Sequence, residues 1–286
     1  MGHRRPFALS RPRRATAQTT RPGYNLRSVP RTSLAIRVLG PYGGSAPGYR
    51  LTTFLVDGES ALDAGALTDA LPLAAQRRVR RVVLTHAHFD HFVSLPFLAA
   101  NLYGRTNFAL EVISPAPVVA AIREHVFNQT TWPDFTRYPS RSRPTLRFRP
   151  VPEGKPVRAG GVTWTAFSVN HVVPAYGYTV SKKDASVVFS GDTGPTERLW
   201  EAARRLRNLK AVFLECSFSD GEEGVAVDSL HMTPALVARE LPKLPPKVPV
   251  YLYHLKPFSL SRIRREIAAL KEPRLKLLES ERSFRF

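Results

Sequence analysis

The sequence predicts an α/β sandwich, two β-sheets packed face to face with helices on their outer surfaces. Two observations carry that prediction. Short β-branched, apolar runs followed by helical stretches occur once in residues 34–150 and again in residues 162–286. In both halves, side chains able to bind metal sit just beyond the ends of predicted strands.

Taken in order, residues 34–39 read as a strand and residues 40–44 as a turn. The turn's glycines lack the spacing of a phosphate-cradling or dinucleotide-binding loop, so a tight connection is expected. Residues 51–56 and 60–62 read as two further strands, the second ending in Asp63-Ala64-Gly65. Residues 81–84 form a short buried strand, and the apolar stretch 92–103 a helix. A strand at 108–113 and a helix at 115–126 follow. Residues 127–150 hold Trp132, Pro133, Phe135, Tyr138 and several arginines with little periodicity. Such a segment serves either as a binding lid or as a surface excursion with buried aromatics. In the second half, strands are expected at 162–169, 176–180, 186–190, 211–214 and 248–253. Helices are expected at 196–206, 234–241 and 260–270, and short strands near Leu275 and Phe284.

Residues 1–32 stand apart. They are rich in Arg, Pro, Ser and Thr and show no hydrophobic period, the composition of a disordered basic extension. A transit peptide and an over-extended start fit the same composition, whereas a secretory signal does not, for want of an apolar core. Residues 34–286 are read as one domain. The net charge is +19, and residues 1–33 contribute eight arginines and no acidic residue, which leaves +11 for the rest. A basic balance suits a phosphate-bearing substrate. The single cysteine, Cys216, excludes an intrachain disulfide and fits a reducing, cytoplasmic setting. No apolar run is long enough to cross a bilayer, so no membrane partner is expected.

The densest chemistry lies in Thr85-His86-Ala87-His88-Phe89-Asp90-His91, directly after the strand at 81–84. A loop at a strand end aims several side chains at one point, whereas a strand would throw alternate ones to opposite faces. Imidazole and carboxylate without thiolate suit zinc, manganese or iron and argue against a structural cysteine site. His171, Asp192 and His254 each follow a predicted strand as well. With the first cluster they make five histidines and two aspartates. That is enough for two metals with three terminal ligands each and one bridging carboxylate. Two such cations, ~3.5–4 Å apart, can share a hydroxide and clamp the attacked group and the leaving oxygen.

Leu62-Asp63-Ala64-Gly65, His86-Ala87-His88-Phe89-Asp90-His91, His171, Gly191-Asp192-Thr193-Gly194 and His254, in this order, resemble the metallo-β-lactamase-fold hydrolases. The resemblance implies a four-layer αββα sandwich over residues 34–286. It also implies that His86, His88 and His171 hold one metal, that Asp90, His91 and His254 hold the other, and that Asp192 bridges them. Asp63 would orient a ligand imidazole. Within that superfamily, residues 91–96, 191–196, 214–218, 231–234 and 254–257 resemble the class II cyclic-nucleotide phosphodiesterases. Glu215 and His231 also resemble the glutamate–histidine pair of RNase Z, in which the histidine serves the leaving group.

These resemblances imply a dinuclear metal hydrolase, with zinc or else manganese or iron, that cleaves a 3′,5′-cyclic nucleotide by attack of a metal-bound hydroxide. Asp90 would ligate and orient that hydroxide, and His231 with Glu215 would assist departure. Lys256, two residues after a ligand, would meet a phosphate oxygen. The expected partner is a small phosphodiester, with RNA and a homodimer also compatible. Two other readings compete: an RNase Z-like nuclease acting on tRNA 3′ ends, and a non-catalytic regulatory protein that keeps its metal for structure.

Overall fold

The computed structural model describes residues 33–286. The expectations for residues 1–32 lie outside the described residues. The first sheet contains β1 (Ala35–Gly40), β2 (Thr53–Val56), β3 (Ser60–Leu62), β4 (Arg81–Val83), β5 (Leu110–Ser114) and β6 (Leu146–Pro150). The second contains β7 (Val157–Ala159), β8 (Val162–Ser168), β9 (Tyr176–Lys182), β10 (Ala185–Phe189), β11 (Leu209–Glu215), β12 (Val250–Tyr253) and β13 (Leu275–Leu277). A last strand, β14 (Ser283–Arg285), returns to the first sheet and pairs antiparallel with β1. The last strand thus forms one edge of the first sheet, a long-range pairing that no local pattern announces.

Strand direction places the chemistry. β3 to β6 run parallel to one another, and so do β10 to β13. β8 and β10 are both antiparallel to β9, so they share a direction. The residues that leave β3, β4, β8, β10, β11 and β12 thus emerge at carboxyl ends, where open sheets of parallel strands gather their ligands.

Between the sheets, Phe54 of β2 meets Phe189, Phe213 and Tyr253 of the second sheet at centroid distances of 4.9, 5.6 and 5.2 Å. All four side chains are fully buried, and each contributes about 1.5–3 kcal/mol of apolar burial. The outer layers follow helical periodicity. The helix Glu197–Arg204 buries Leu199, Trp200 and Ala203, and the helix Leu260–Ala269 buries Leu260, Ile263 and Ile267. Thr233 starts the helix Pro234–Glu240, its hydroxyl accepting from the Leu236 amide, with Pro234 placed where no amide donor is needed.

Three local expectations change. The helix expected over 92–103 begins earlier, as a turn Phe89–Phe92 followed by Ser94–Leu102, so Asp90 and His91 stand on a helical first turn rather than on a free loop. Short helices Leu67–Ala70, Leu73–Gln76 and Glu223–Asp228 and the strands β6, at the end of the irregular segment 127–150, and β7 were not anticipated. Residues 127–145 form the surface excursion: Trp132 packs on Phe97 and Phe135 on Tyr103, at 5.3 and 5.8 Å, which ties the segment to the helix before β5. None of the described helices is long and apolar enough to cross a membrane.

Candidate metal centre

All seven residues expected as ligands come together, from both sheets. Their ligand atoms form overlapping groups within 4.8 Å: His86 with His88 and His171, His86 with His91 and Asp192, and Asp90 with His91 and His254. A further group joins His171 and Asp192 to His231. His86, His91, Asp192 and His254 are fully buried, while His88, Asp90 and His171 line the open side.

Each ligand imidazole but His88 spends one ring nitrogen on the protein scaffold and turns the other inward. His86 Nδ1 lies 3.0 Å from the Thr85 hydroxyl, and His254 Nδ1 2.8 Å from that of Thr52. His171 Nδ1 lies 3.3 Å from the Leu230 carbonyl. His91 Nδ1 donates to Asp63 Oδ2 at 2.7 Å, and Thr85 donates to the same carboxylate through its amide and hydroxyl. This is the arrangement by which outer groups fix tautomer and ring orientation around a metal. The inward atoms crowd together. Asp192 Oδ2 sits 3.1 Å from both His91 Nε2 and His254 Nε2, and His171 Nε2 sits 3.3 Å from His88 Nδ1.

Whether these residues fit a cation is decided by their unpartnered atoms. His86 Nε2, His254 Nε2 and Asp192 Oδ1 are buried without a hydrogen-bond partner. Three such atoms facing one another would each cost about 1–3 kcal/mol if nothing met them. Nitrogen and carboxylate oxygen are the donors that divalent zinc, manganese and iron take. The residues fit.

Backbone and charge agree. Asp63, Leu230 and His254 adopt left-handed φ of 56°, 54° and 61°, a region costly for residues with a Cβ and typical of places where side-chain aim is over-determined by the surroundings. Gly43 passes so close to the His254 ring that a Cβ there would come within 2.6 Å of it. The turn at residues 40–44 is thus a close approach to a ligand, beyond the tight connection expected. Burial lowers His171 to about 4 and His254 to about 3, and it also lowers His86 and His88, whereas Asp192 and Asp63 raise His91 against burial. Against burial, His254 and His91 hold Asp192 well below the usual carboxylate range, and His91 and His254 do the same more mildly for Asp90. Neutral imidazoles and ionised carboxylates are the states that bind metal.

Glu215, the last residue of β11, is fully buried. Its Oε1 accepts from His231 Nδ1 at 2.7 Å and from the Thr193 amide at 3.1 Å, and its Oε2 accepts from the Ser217 hydroxyl at 3.0 Å. The other edge of His231 faces the cluster, its ring 5.1 Å from His171 and 5.6 Å from His254. Against burial, Glu215 raises the His231 pKa. Lys256 does not point at open space. Its ammonium donates to the Gly43 carbonyl at 2.5 Å and so braces the loop beside His254. Thr52, Thr85 and Ser217 escaped sequence reasoning. Hydroxyls are common at strand ends, and only Thr85, directly before the motif, carried a positional hint.

A family model for the beta-lactamase superfamily domain matches residues 52–254, which include every residue of this centre. The chain belongs to that superfamily. It is a metallo-hydrolase of the β-lactamase fold, and its sequence is 27% identical over 284 aligned positions to a probable 3′,5′-cyclic-nucleotide phosphodiesterase of Yersinia pestis, covering 80% of each chain. Among solved structures, unliganded yeast PDE1 superposes with a TM-score of 0.72 at 19% identity, over 88% of this chain and 99% of that one. The short form of human tRNase Z gives 0.62 at 18% identity, over 87% and 98%. At those identities the two structures establish the fold, and it is the αββα sandwich expected.

Proposed function

We propose that this superfamily member is a phosphodiesterase working with two divalent cations, and that its substrates are 3′,5′-cyclic nucleotides or close relatives. The observation that carries the reading is the convergence of unpartnered His86 Nε2, His254 Nε2 and Asp192 Oδ1 beside the buried Glu215–His231 pair. The 27% identity to a probable cyclic-nucleotide phosphodiesterase supports the substrate class. In this reading residues 34–286 are the hydrolase domain. His86, His88 and His171 would hold one cation, Asp90, His91 and His254 would hold the other, and Asp192 would serve both. Zinc leads, and manganese and iron suit the same donors. When bound, such a pair supplies Lewis acidity toward phosphoryl oxygens and lowers the pKa of water.

The chain's own residues do the rest. Asp90, kept ionised by His91 and His254, stands on the open side to orient the attacking water. His231, whose pKa Glu215 raises, turns its free nitrogen toward the cluster and in its protonated form gives a proton to the departing ribose oxygen. Asp63 and Thr85 keep His91 and His86 aimed. Lys256 acts by bracing the Gly43 loop, because a phosphate contact would require its ammonium to leave that carbonyl.

The test is hydrolysis of 3′,5′-cyclic AMP by metal-reconstituted protein, with Asp192→Ala as blank and the 5′- and 3′-monophosphates resolved. Turnover that disappears in the blank upholds the reading. Silence on cyclic AMP with cleavage of a precursor tRNA would replace it by the nuclease, the reading that the basic charge favours second.

A further inference from the structure

Beside the metal centre lies a cavity of about 310 Å³ that the chemistry above does not use. Two of its walls are the loops that carry the ligands. Ala87 and Phe89 alternate with His86, His88 and Asp90, and Val173 and Pro174 follow His171. The third wall is the helix Ala116–His125, which offers Val118, Ala121 and, at its end, His125. The cavity is therefore flanked by backbone one or two residues from four of the expected ligands. Its rim is unusually apolar for an exposed surface: Phe89 is 69% exposed and Val172 54%. A large apolar side chain left open beside a buried polar centre is informative in a way that a scattered surface leucine is not.

Resting on the phosphodiesterase reading, we propose that this cavity is the base subsite, in which a nucleobase lies against Phe89 and presents its polar edge to His125. Size argues for it. Small-molecule sites run from roughly 300 to 1,000 Å³, so a cavity at the bottom of that range takes one flat ring system and not a whole nucleotide. Composition argues the same way. A base needs an apolar face-on surface and few polar groups at its edge, and the lining supplies aromatic and aliphatic walls with one imidazole. Position completes the case. A nucleotide whose phosphate sits among His86, His88 and His171 has its base one sugar away, and Ala87 and Val173 of the cavity wall lie within two positions of those residues.

The measurement is the ratio of kcat/KM for cyclic AMP to that for ribose 3′,5′-cyclic phosphate, which lacks a base. It is read in full-length metal-reconstituted protein and in Ala121→Phe, which fills the cavity from the helix, away from the ligand loops. His125→Ala, at an exposed position, is the companion variant should the larger side chain disturb folding. The ratio is expected to fall about tenfold in Ala121→Phe, the size of one lost base–aromatic contact, and less in His125→Ala. A ratio that stays at its wild-type value in both variants overturns the proposal. If the wild-type protein turns over neither diester, the phosphodiesterase reading fails first. Calorimetry with adenosine then decides the subsite: binding lost in Ala121→Phe upholds it, and no binding, or binding only of dihexanoyl glycerophosphocholine, overturns it.

Discussion

The centre contains the same device twice. On the first sheet Asp63 grips His91 Nδ1, and on the second Glu215 grips His231 Nδ1, both at 2.7 Å and both buried. Each carboxylate also takes a hydroxyl, from Thr85 in one case and Ser217 in the other. What differs is the far side of the ring. His91 Nε2 meets Asp192 Oδ2 at 3.1 Å and has no solvent exposure, whereas the His231 ring keeps 7% exposure at the edge of the cluster. A carboxylate–imidazole pair thus carries no role by itself. In the function proposed, the pair that faces another fixed carboxylate serves as a metal ligand, and the pair at the edge of the cluster serves as an acid.

Several substitutions would break or sharpen that contrast. Asp192→Ala removes the group that makes His91 a ligand, and both metal content and turnover are expected to vanish, as read by elemental analysis and cyclic AMP hydrolysis. His231→Ala should leave metal content at the wild-type level and cut kcat by about 10²–10⁴-fold, the span of a lost general acid. Asp63→Asn keeps the shape but weakens the grip on His91, and a 10–100-fold loss of metal affinity is expected in competition with a chelating dye.

The smallest effect is a shift of pH. Glu215 raises His231 above its ordinary 6.5, so the protonated, donating form persists to higher pH and kcat declines only as pH rises through that raised value. In Glu215→Gln the main group that raises it loses its charge, the His231 pKa drops, and the falling limb of the kcat profile should move to lower pH. Above the limb, roughly tenfold of rate is lost for each unit of movement. A limb that stays in place would remove Glu215 from the role of tuning His231.

How much was legible beforehand follows the same division between local and distant information. His86 to His91 form a dense cluster after a β-branched run, and spacing alone makes them stand out. His171, Asp192 and His254 are single residues, legible only because parallel strands bring their carboxyl ends to one edge and each sits at such an end. The return of β14 to β1 was not legible, because its three residues look like any short strand and its partner lies some 250 positions away. Nor was the bracing by Thr52 of His254, a contact 202 residues apart that exists only once the sheets have packed. The early helical turn at Phe89 was hidden because the motif's own polar residues erase the apolar period that marks a helix. The place of Lys256 two residues after His254 suggests a phosphate contact, and nothing local signals the Gly43 carbonyl to which its ammonium donates.

The central claim is that two similar carboxylate–imidazole pairs play different parts, and one measurement bears on it most directly. It is the metal-to-protein ratio of His231→Ala beside that of His91→Ala, purified and reconstituted alike. The account predicts an unchanged ratio for His231→Ala and a reduced one for His91→Ala. Equal losses in the two variants would make His231 a ligand as well and contradict its assignment as the acid.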